Sequence, residues 1–492
     1  MGILSLLLAA PAIGILFLAL TPKQNTTQIR FIANLFATIA FLISCWLVFS
    51  FNIHDGTLQF EQQFIFNPKL GSHFALGIDG LSLPMVVLAS LLTSIALLAS
   101  FNISHGVKGY HISILLLELG MLGVFLSQDW SLFYIFWEVT LAPLFLLIGR
   151  WGGAQRHVAS LNFVLYTMGG SIFMLMSLFA ISQYMPPHSS TLMASMSVAA
   201  QSMPKDEQIW VLFGFLIGFG VKMPIFPLHG WLPLAHVEAP SPISILLSGI
   251  LLKMGAYGLI RAIVMLPDAA LTLQPILVFI ALFGMIYGGL LAWRQTDLKA
   301  MVAYSSVSHM GIVLLGIATL NLTGMTAAVL QMTAHGLIAG AMFLLVGLLY
   351  ERTHTRNILD YSSLVRVMPR FALFMTITLF AAMGLPGTVG FVAELHTFIG
   401  GFQEWGFLMV FLGLSILISA AYAMRTIGML FTGPVKPQMR EIEDLRTPEL
   451  IAASILVGSI LLFGLWPSLL IDLSSATVNQ MNDIISLSIQ QD

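Results

Sequence analysis

The chain has 492 residues, of which 58% are hydrophobic and 9% are Asp, Glu, Lys or Arg. Soluble domains are about 45–50% apolar and about 25% charged, so a water-soluble globule of this length could not cover itself with so few charges. A cytosolic enzyme, a nucleic-acid binder and a disordered chain are excluded, and the net charge of −2 gives no long-range steering of a polyanion. Cys45 is the single cysteine, which excludes an internal disulfide, a cysteine-built zinc site and an iron–sulfur cluster. What remains is an all-α polytopic membrane protein.

A helix needs about 20 apolar residues to cross a bilayer core about 30 Å thick. In chain order such runs fall at 2–20, 31–51, 81–101, 110–126, 131–149, 162–185, 209–238, 242–262, 272–292, 300–319, 325–349, 371–400, 406–431 and 450–471. They predict about fourteen transmembrane helices. The first run carries no basic residue ahead of it, and Lys23 and Arg30 follow it, so it reads as a span and not as a cleaved leader. Connections after odd-numbered spans hold fourteen Lys and Arg, among them Lys108, Arg150, Lys299, Arg356 and Arg446, whereas those after even-numbered spans hold Lys69, Lys205 and Arg261. This bias predicts that the odd connections face the cytoplasm (or stroma), with both termini on the opposite side.

Runs 209–238 and 371–400 are about ten residues longer than a span needs. Each carries helix breakers at mid-depth: Pro224, Pro227 and Pro233 in the first, and Gly384-Leu385-Pro386-Gly387 with Gly390 in the second. Interrupted helices survive in lipid only where protein or a wet cavity satisfies the freed backbone groups. Two breaks five spans apart predict two five-helix repeats, spans 4–8 and 9–13, and an odd-numbered repeat must be inverted relative to its copy. The expected organisation is one membrane domain: N-terminal helices in 1–109, a first repeat in 110–262, a second in 272–431, and a C-terminal helix and tail in 450–492. Two proline kinks without symmetry are the competing reading.

Five ionisable residues lie well inside predicted spans: Glu118, Glu138, Lys222, Lys253 and Glu394. Unpaired, each would cost about 2.5–3.5 kcal/mol at mid-membrane. Together that exceeds a typical folding stability of about 5–15 kcal/mol. They must be paired, neutralised or hydrated, which predicts a polar file inside the bundle. His229, His236, His309 and His335 add groups that titrate near neutral pH. Acids, lysines and histidines in this arrangement suit proton relay, because a carboxylate approaching a desolvated lysine raises its proton affinity. The competing readings are a fixed Glu138–Lys222 salt bridge, a packing hydrogen bond at Glu118 and a satisfied interior imidazole at His309. His229 and His236 lack a third ligand nearby, so no metal site is expected.

No dinucleotide fingerprint or phosphate-binding loop occurs, and no loop could house a nucleotide or flavin domain. The chain is therefore expected to carry no redox cofactor and to draw its energy from an ion gradient or from partner chains.

Phe136-Trp137-Glu138 resembles the proton-pumping antiporter-like subunits of complex I. So do Val221-Lys222-Met223-Pro224, the run from Pro227 through His229 and Trp231 to Pro233, and Gly249-Ile250-Leu251-Leu252-Lys253-Met254-Gly255. Gly77-Ile78-Asp79-Gly80-Leu81-Ser82, Gly384-Leu385-Pro386-Gly387 and Phe391-Val392-Ala393-Glu394 extend the match over nearly the whole chain. A glutamate at position 394, where sister subunits have lysine, points to the M/D type of respiratory and photosynthetic NAD(P)H/ferredoxin–quinone oxidoreductases.

The resemblance implies that Glu138 and Lys222 form a modulating ion pair and that Lys253 is the central proton carrier. It further implies that His309 and His335 lie on the connecting wire and that Glu394 is the terminal carrier. Quinone, iron–sulfur clusters and the nucleotide or ferredoxin would be handled by partner subunits, and the sister antiporter-like chains would be neighbours in the membrane arm. Leu234 departs from the family pattern, which usually has Asp there. Together with Glu404 and Glu394-Leu395-His396, this departure resembles photosynthetic paralogues, some of which serve CO2 uptake. A subunit of a multisubunit Na+/H+ antiporter, and an inert assembly scaffold, are the alternatives. The expected location is a bacterial plasma membrane or a thylakoid membrane.

Overall fold

The computed structural model describes residues 2–186 and 189–489. Every predicted apolar run coincides with helix, with 209–238 and 371–400 interrupted at 223–230 and 383–388. Helices α1 (Ile3–Leu20) and α2 (Thr26–Ser50) precede a hairpin of β1 (Gln59–Asn67) and β2 (Ser72–Ile78), then α3 (Ser82–Leu98) and α4 (Val107–Leu126). The fifth run is divided into α5 (Trp130–Val139) and α6 (Leu141–Trp151). Pro143 explains the division, because it has no N–H to give to the carbonyl of Val139 and its ring crowds that carbonyl. Then come α7 (Arg156–Ser182), the short α8 (Met193–Gln201), α9 (Lys205–Lys222) and α10 (Trp231–Glu238). Helix α11 (Ser241–Leu246) passes through a π-helical turn, Leu247–Leu251, into α12 (Leu252–Met265).

The second half runs through α13 (Pro267–Arg294), α14 (Leu298–Ala318), α15 (Leu322–Thr353), the single turn α16 (Leu364–Val367), α17 (Pro369–Ala382), α18 (Val389–Trp405) and α19 (Val410–Phe431). It ends with α20 (Thr447–Leu465) and α21 (Ser468–Ile489). Among the described residues, eleven helical stretches are long and apolar enough to cross a membrane, and α3 and α17 are shorter apolar helices. The C-terminal tail expected after the last span is helical, and α21 turns back to pack on α15 and α13.

Burial separates a centre from a rim. The most apolar stretches of 241–265 and of α15 are wholly buried, and that of α14 nearly so, whereas α1, α2, α7 and α20 bury less than half of theirs. Rim helices present Phe49, Leu165, Phe179 and Phe279 outward, where lipid would meet them. Helices apolar on every side belong in the middle of a bundle, and these central ones carry Lys253, His309 and His335.

The connections sort onto two faces. On one, Arg30 donates to Ile103 O, Trp151 to His105 O, Asn102 to Glu351, and Arg356 pairs with Asp297 at 3.0 Å. Arg425, expected inside a span, reaches this face and donates to Trp293 O and Gln295 O. On the other face, Arg261 pairs with Asp79, Gly80 N donates to Thr477, and Thr191 donates to Asp129. The hairpin, for which the apolar runs gave no signal, lies on this second face: β2 bridges Ser127, and Thr191 N donates to Gly71 O at the turn. Odd and even connections therefore occupy opposite faces, the separation the charge bias requires.

Candidate proton-relay site

Both long spans break as their prolines and glycines demand, and they break by one hydrogen-bond scheme. In the first, Met223 N donates to Phe219 O, Ile225 N to Gly220 O and Leu228 N to Ile225 O. In the second, Met383 N donates to Leu379 O, Leu385 N to Phe380 O and Thr388 N to Leu385 O, each at a constant offset of 160 residues. Each break leaves a carbonyl near the end of the first half-helix without its helical donor. In the first this is Val221 O, taken by the Trp231 indole at 2.8 Å. In the second the matching carbonyl, Ala381 O, accepts from Gly384 N, and it is the next one, Ala382 O, whose helical donor would be residue 386, a proline; His309 Nε2 approaches it at 3.1 Å.

Lys222 is the last residue of α9 and is 1% exposed. Its Nζ donates to Thr140 Oγ1 at 3.1 Å and lies 4.9 Å over the Trp137 ring. Thr140 is free to receive it because it sits at the α5/α6 division. Glu138 is close enough to act electrostatically on Lys222, but Glu138 Oε1 is buried without a hydrogen-bond partner. The two groups are neighbours held apart, not a closed ion pair.

Lys253 is fully buried just after the π-helical turn. That turn shifts the backbone bonding register, and Lys253 Nζ donates to Ser248 O at 2.6 Å. It also meets His335 Nδ1 at 2.6 Å, a hydrogen bond between two bases. The His335 and His309 rings are 5.4 Å apart, and His335 Nε2 has no partner. His309 Nδ1 faces Ser305 O at 2.8 Å while Nε2 faces Ala382 O. Both contacts are carbonyl acceptors. A neutral imidazole has one N–H and satisfies one of them; only the imidazolium satisfies both.

Glu394 is 4% exposed in the second turn of α18. Side chains on a helix lean toward its N-terminus, and this carboxylate lies against Gly384, at φ +73° in the break, where a Cβ would fall on Oε2. Tyr422 on α19, buried and with its hydroxyl unpartnered, lies within electrostatic reach of Glu394 and near Ser305. Sequence reasoning missed Tyr422 and Thr140, since a tyrosine or a threonine in an apolar span gives no signal of its own.

Of the remaining candidates, His236 lies within electrostatic reach of Lys253 and His335, whereas Glu118 and His229 stand aside from the file. Glu118 is fully buried on α4, with both carboxylate oxygens unpartnered. His229 lies in the first break against Phe226 and Tyr287, and no hydrogen bond joins it to either lysine among the described residues. His236 stacks on Phe343 with centroids 4.5 Å apart, both ring nitrogens unpartnered. Lys299, counted with the loop charges, is instead buried and donates to Ala239 O at 2.6 Å. Among the described residues, no group of three or more His, Cys, Asp or Glu is placed to hold a metal ion.

Broken helices, a mid-membrane file of bases and acids, and loops too short for any soluble domain define an antiporter-like membrane subunit. Residues 127–419 match the family model described as NADH:quinone oxidoreductase/Mrp antiporter, transmembrane, and the chain belongs to that family. It is 39% identical over 475 residues to NAD(P)H-quinone oxidoreductase chain 4 1 of Picosynechococcus sp., covering 94% of this chain and 88% of that one. To chain 4-1 of Synechocystis sp. it is 34% identical over 490 residues, covering 97% and 93%. Among solved structures, a chain of respiratory complex I from Thermus thermophilus with bound NADH superposes with a TM-score of 0.88 at 29% identity, covering 97% of this chain and 99% of that one. A chain of the Mrp complex from Dietzia sp. superposes with a TM-score of 0.82 at 20% identity, covering 98% of each, which shows the fold alone.

Proposed function

We propose that this chain is a proton-translocating membrane-arm subunit of the complex I type, of the chain 4 (M/D) kind. It moves protons while quinone is reduced in other chains. The observation that carries the reading is the buried series Lys253–His335–His309, with Tyr422 within electrostatic reach of Glu394. A proton on Lys253 passes to His335 and then to His309. Its arrival there completes the bond to Ala382 O, so occupancy of the wire is tied to the end of a broken helix. Glu394, beside that break, receives the proton and releases it. Lys222 and Glu138, near but unpaired, are placed to close into an ion pair and so change the electrostatic field at Lys253.

Relatives named NAD(P)H-quinone oxidoreductase chain 4, at 34–40% identity, support this reading over a Na+/H+ antiporter subunit, for which the support is fold alone. The same relatives support it over the scaffold reading and give the CO2-uptake reading no separate support. Other membrane-arm subunits, including sister antiporter-like chains, are the partners. Quinone, iron–sulfur clusters and the electron donor, NAD(P)H or ferredoxin, belong to those partners. The matching hydrogen-bond schemes of the two breaks support inverted repeats in 110–262 and 272–431, flanked by 1–109 and 450–492. The charge bias supports a cytoplasmic position for the basic face with both termini opposite. The Picosynechococcus and Synechocystis relatives support the thylakoid over the plasma membrane.

The test replaces Lys253 by Met and by Arg in the intact complex. Arginine keeps the charge but cannot release the proton. Both variants are expected to lose most proton pumping; full pumping with arginine would make Lys253 a fixed charge and end the carrier reading.

A further inference from the structure

We propose that the Tyr134 hydroxyl is a latch for the Glu138–Lys222 pair: it competes with Lys222 for the Glu138 carboxylate and holds the pair open. That role rests on the reading of Glu138 and Lys222 as a switch. Tyr134 and Glu138 stand four residues apart on α5 and share a face. Side chains on a helix lean toward its N-terminus, so Glu138 leans back over Tyr134. It leans away from Thr140, which holds the Lys222 amine at 3.1 Å. The Tyr134 hydroxyl lies within interacting distance of the Glu138 carboxylate and of Ser171 on α7. The two charges are thus drawn apart along α5, the acid toward Tyr134 and the amine toward Thr140 and the Trp137 ring. Glu138 Oε1 is buried without a hydrogen-bond partner, so the carboxylate keeps an acceptor for the lysine.

Ser171 supplies the other half of the device. It is buried, and its hydroxyl donates to Met168 O at 3.0 Å, which leaves Oγ to act only as an acceptor. A phenol carries one O–H. The Tyr134 hydroxyl therefore donates to Glu138 or to Ser171, one at a time. While the pair is open it holds the carboxylate. When the carboxylate crosses to Lys222, the hydroxyl turns to Ser171, and no donor is stranded at mid-membrane. A stranded donor is expensive, so Ser171 removes a cost that would otherwise oppose closing.

The test reads the Glu138–Lys222 separation by cryo-electron microscopy of the intact complex, and protons moved per electron in sealed vesicles. Tyr134→Phe keeps the ring and removes the hydroxyl. The pair is then expected to close to about 4 Å or less, and the ratio to fall several-fold. In Ser171→Ala the pair should stay open, and the ratio should fall because closing strands the hydroxyl. The double variant should be no worse than Tyr134→Phe, since without the hydroxyl Ser171 has nothing to receive. A pair that stays open in Tyr134→Phe overturns the proposal. So does a further loss in the double variant, which would make the two residues packing between α5 and α7. Closure in Tyr134→Phe with a wild-type ratio keeps the latch and ends the switch reading, so the two failures are told apart.

Discussion

The two broken helices share a backbone and differ in chemistry. At the constant offset of 160 residues, Lys222 corresponds to Ala382 and Glu394 to Leu234, so the lysine of one break and the glutamate of the other each match an apolar residue. The lysine terminates a half-helix, where the dipole is negative; the glutamate reaches back toward the start of one, where the dipole is positive. The stranded carbonyls differ likewise. Val221 O is held by an indole that does not titrate, and Ala382 O by an imidazole that does. One break is pinned, and the other is tied to a titratable base. On the proposed function, a single backbone device thus serves as a fixed modulator in one place and as a proton-responsive joint in the other.

The largest effect is expected from removing the charge at the pinned break. Lys222→Met and Glu138→Ala should each lower pumping about tenfold or more, the scale of losing a positioned proton-transfer group. The double variant should be no worse, since both act through one switch; additive losses in vesicle assays would separate them. Next comes the joint. Gly384→Ala puts a Cβ on the Glu394 carboxylate at a left-handed position, so pumping should fall several-fold, with a stability loss of about 1–2 kcal/mol. Thermal denaturation of the purified complex checks the second part.

The sharpest contrast is Trp231→Phe against His309→Phe. Each strands a buried carbonyl, at about 1–3 kcal/mol, yet only His309→Phe should change the proton-to-electron ratio. Equal ratios in the two variants would erase the distinction between the breaks. The smallest effect is expected at Thr140→Val, which takes the hydroxyl from Lys222 and leaves its cation–π contact. Pumping should fall by about half, at a cost of about 1 kcal/mol.

Much of this was legible in the sequence for physical reasons. Apolar length set the spans, prolines and glycines set the breaks, and the cost of buried charge marked Lys222, Lys253 and Glu394. The hairpin at 59–78 was not legible, because its strands interleave polar and apolar residues in a segment with no span signal. Thr140 became a lysine partner only through the division that Pro143 makes, and Tyr422 only through the packing of α19 beside Glu394. Lys299 was counted with the loop charges, because a basic residue at a span boundary gives no sign of whether it turns inward. His309 was visible as a buried base, but its hold on Ala382 O depends on residues 73 positions apart in sequence.

The central claim is that protons leave by way of Glu394, beside the break that His309 holds. Protons moved per electron in sealed vesicles, for the intact complex with Glu394→Gln, test it most directly. The variant keeps the side-chain shape and removes the titrating group, so the ratio should fall and coupled quinone reduction should slow with it. A wild-type ratio would take Glu394 off the path and contradict the claim.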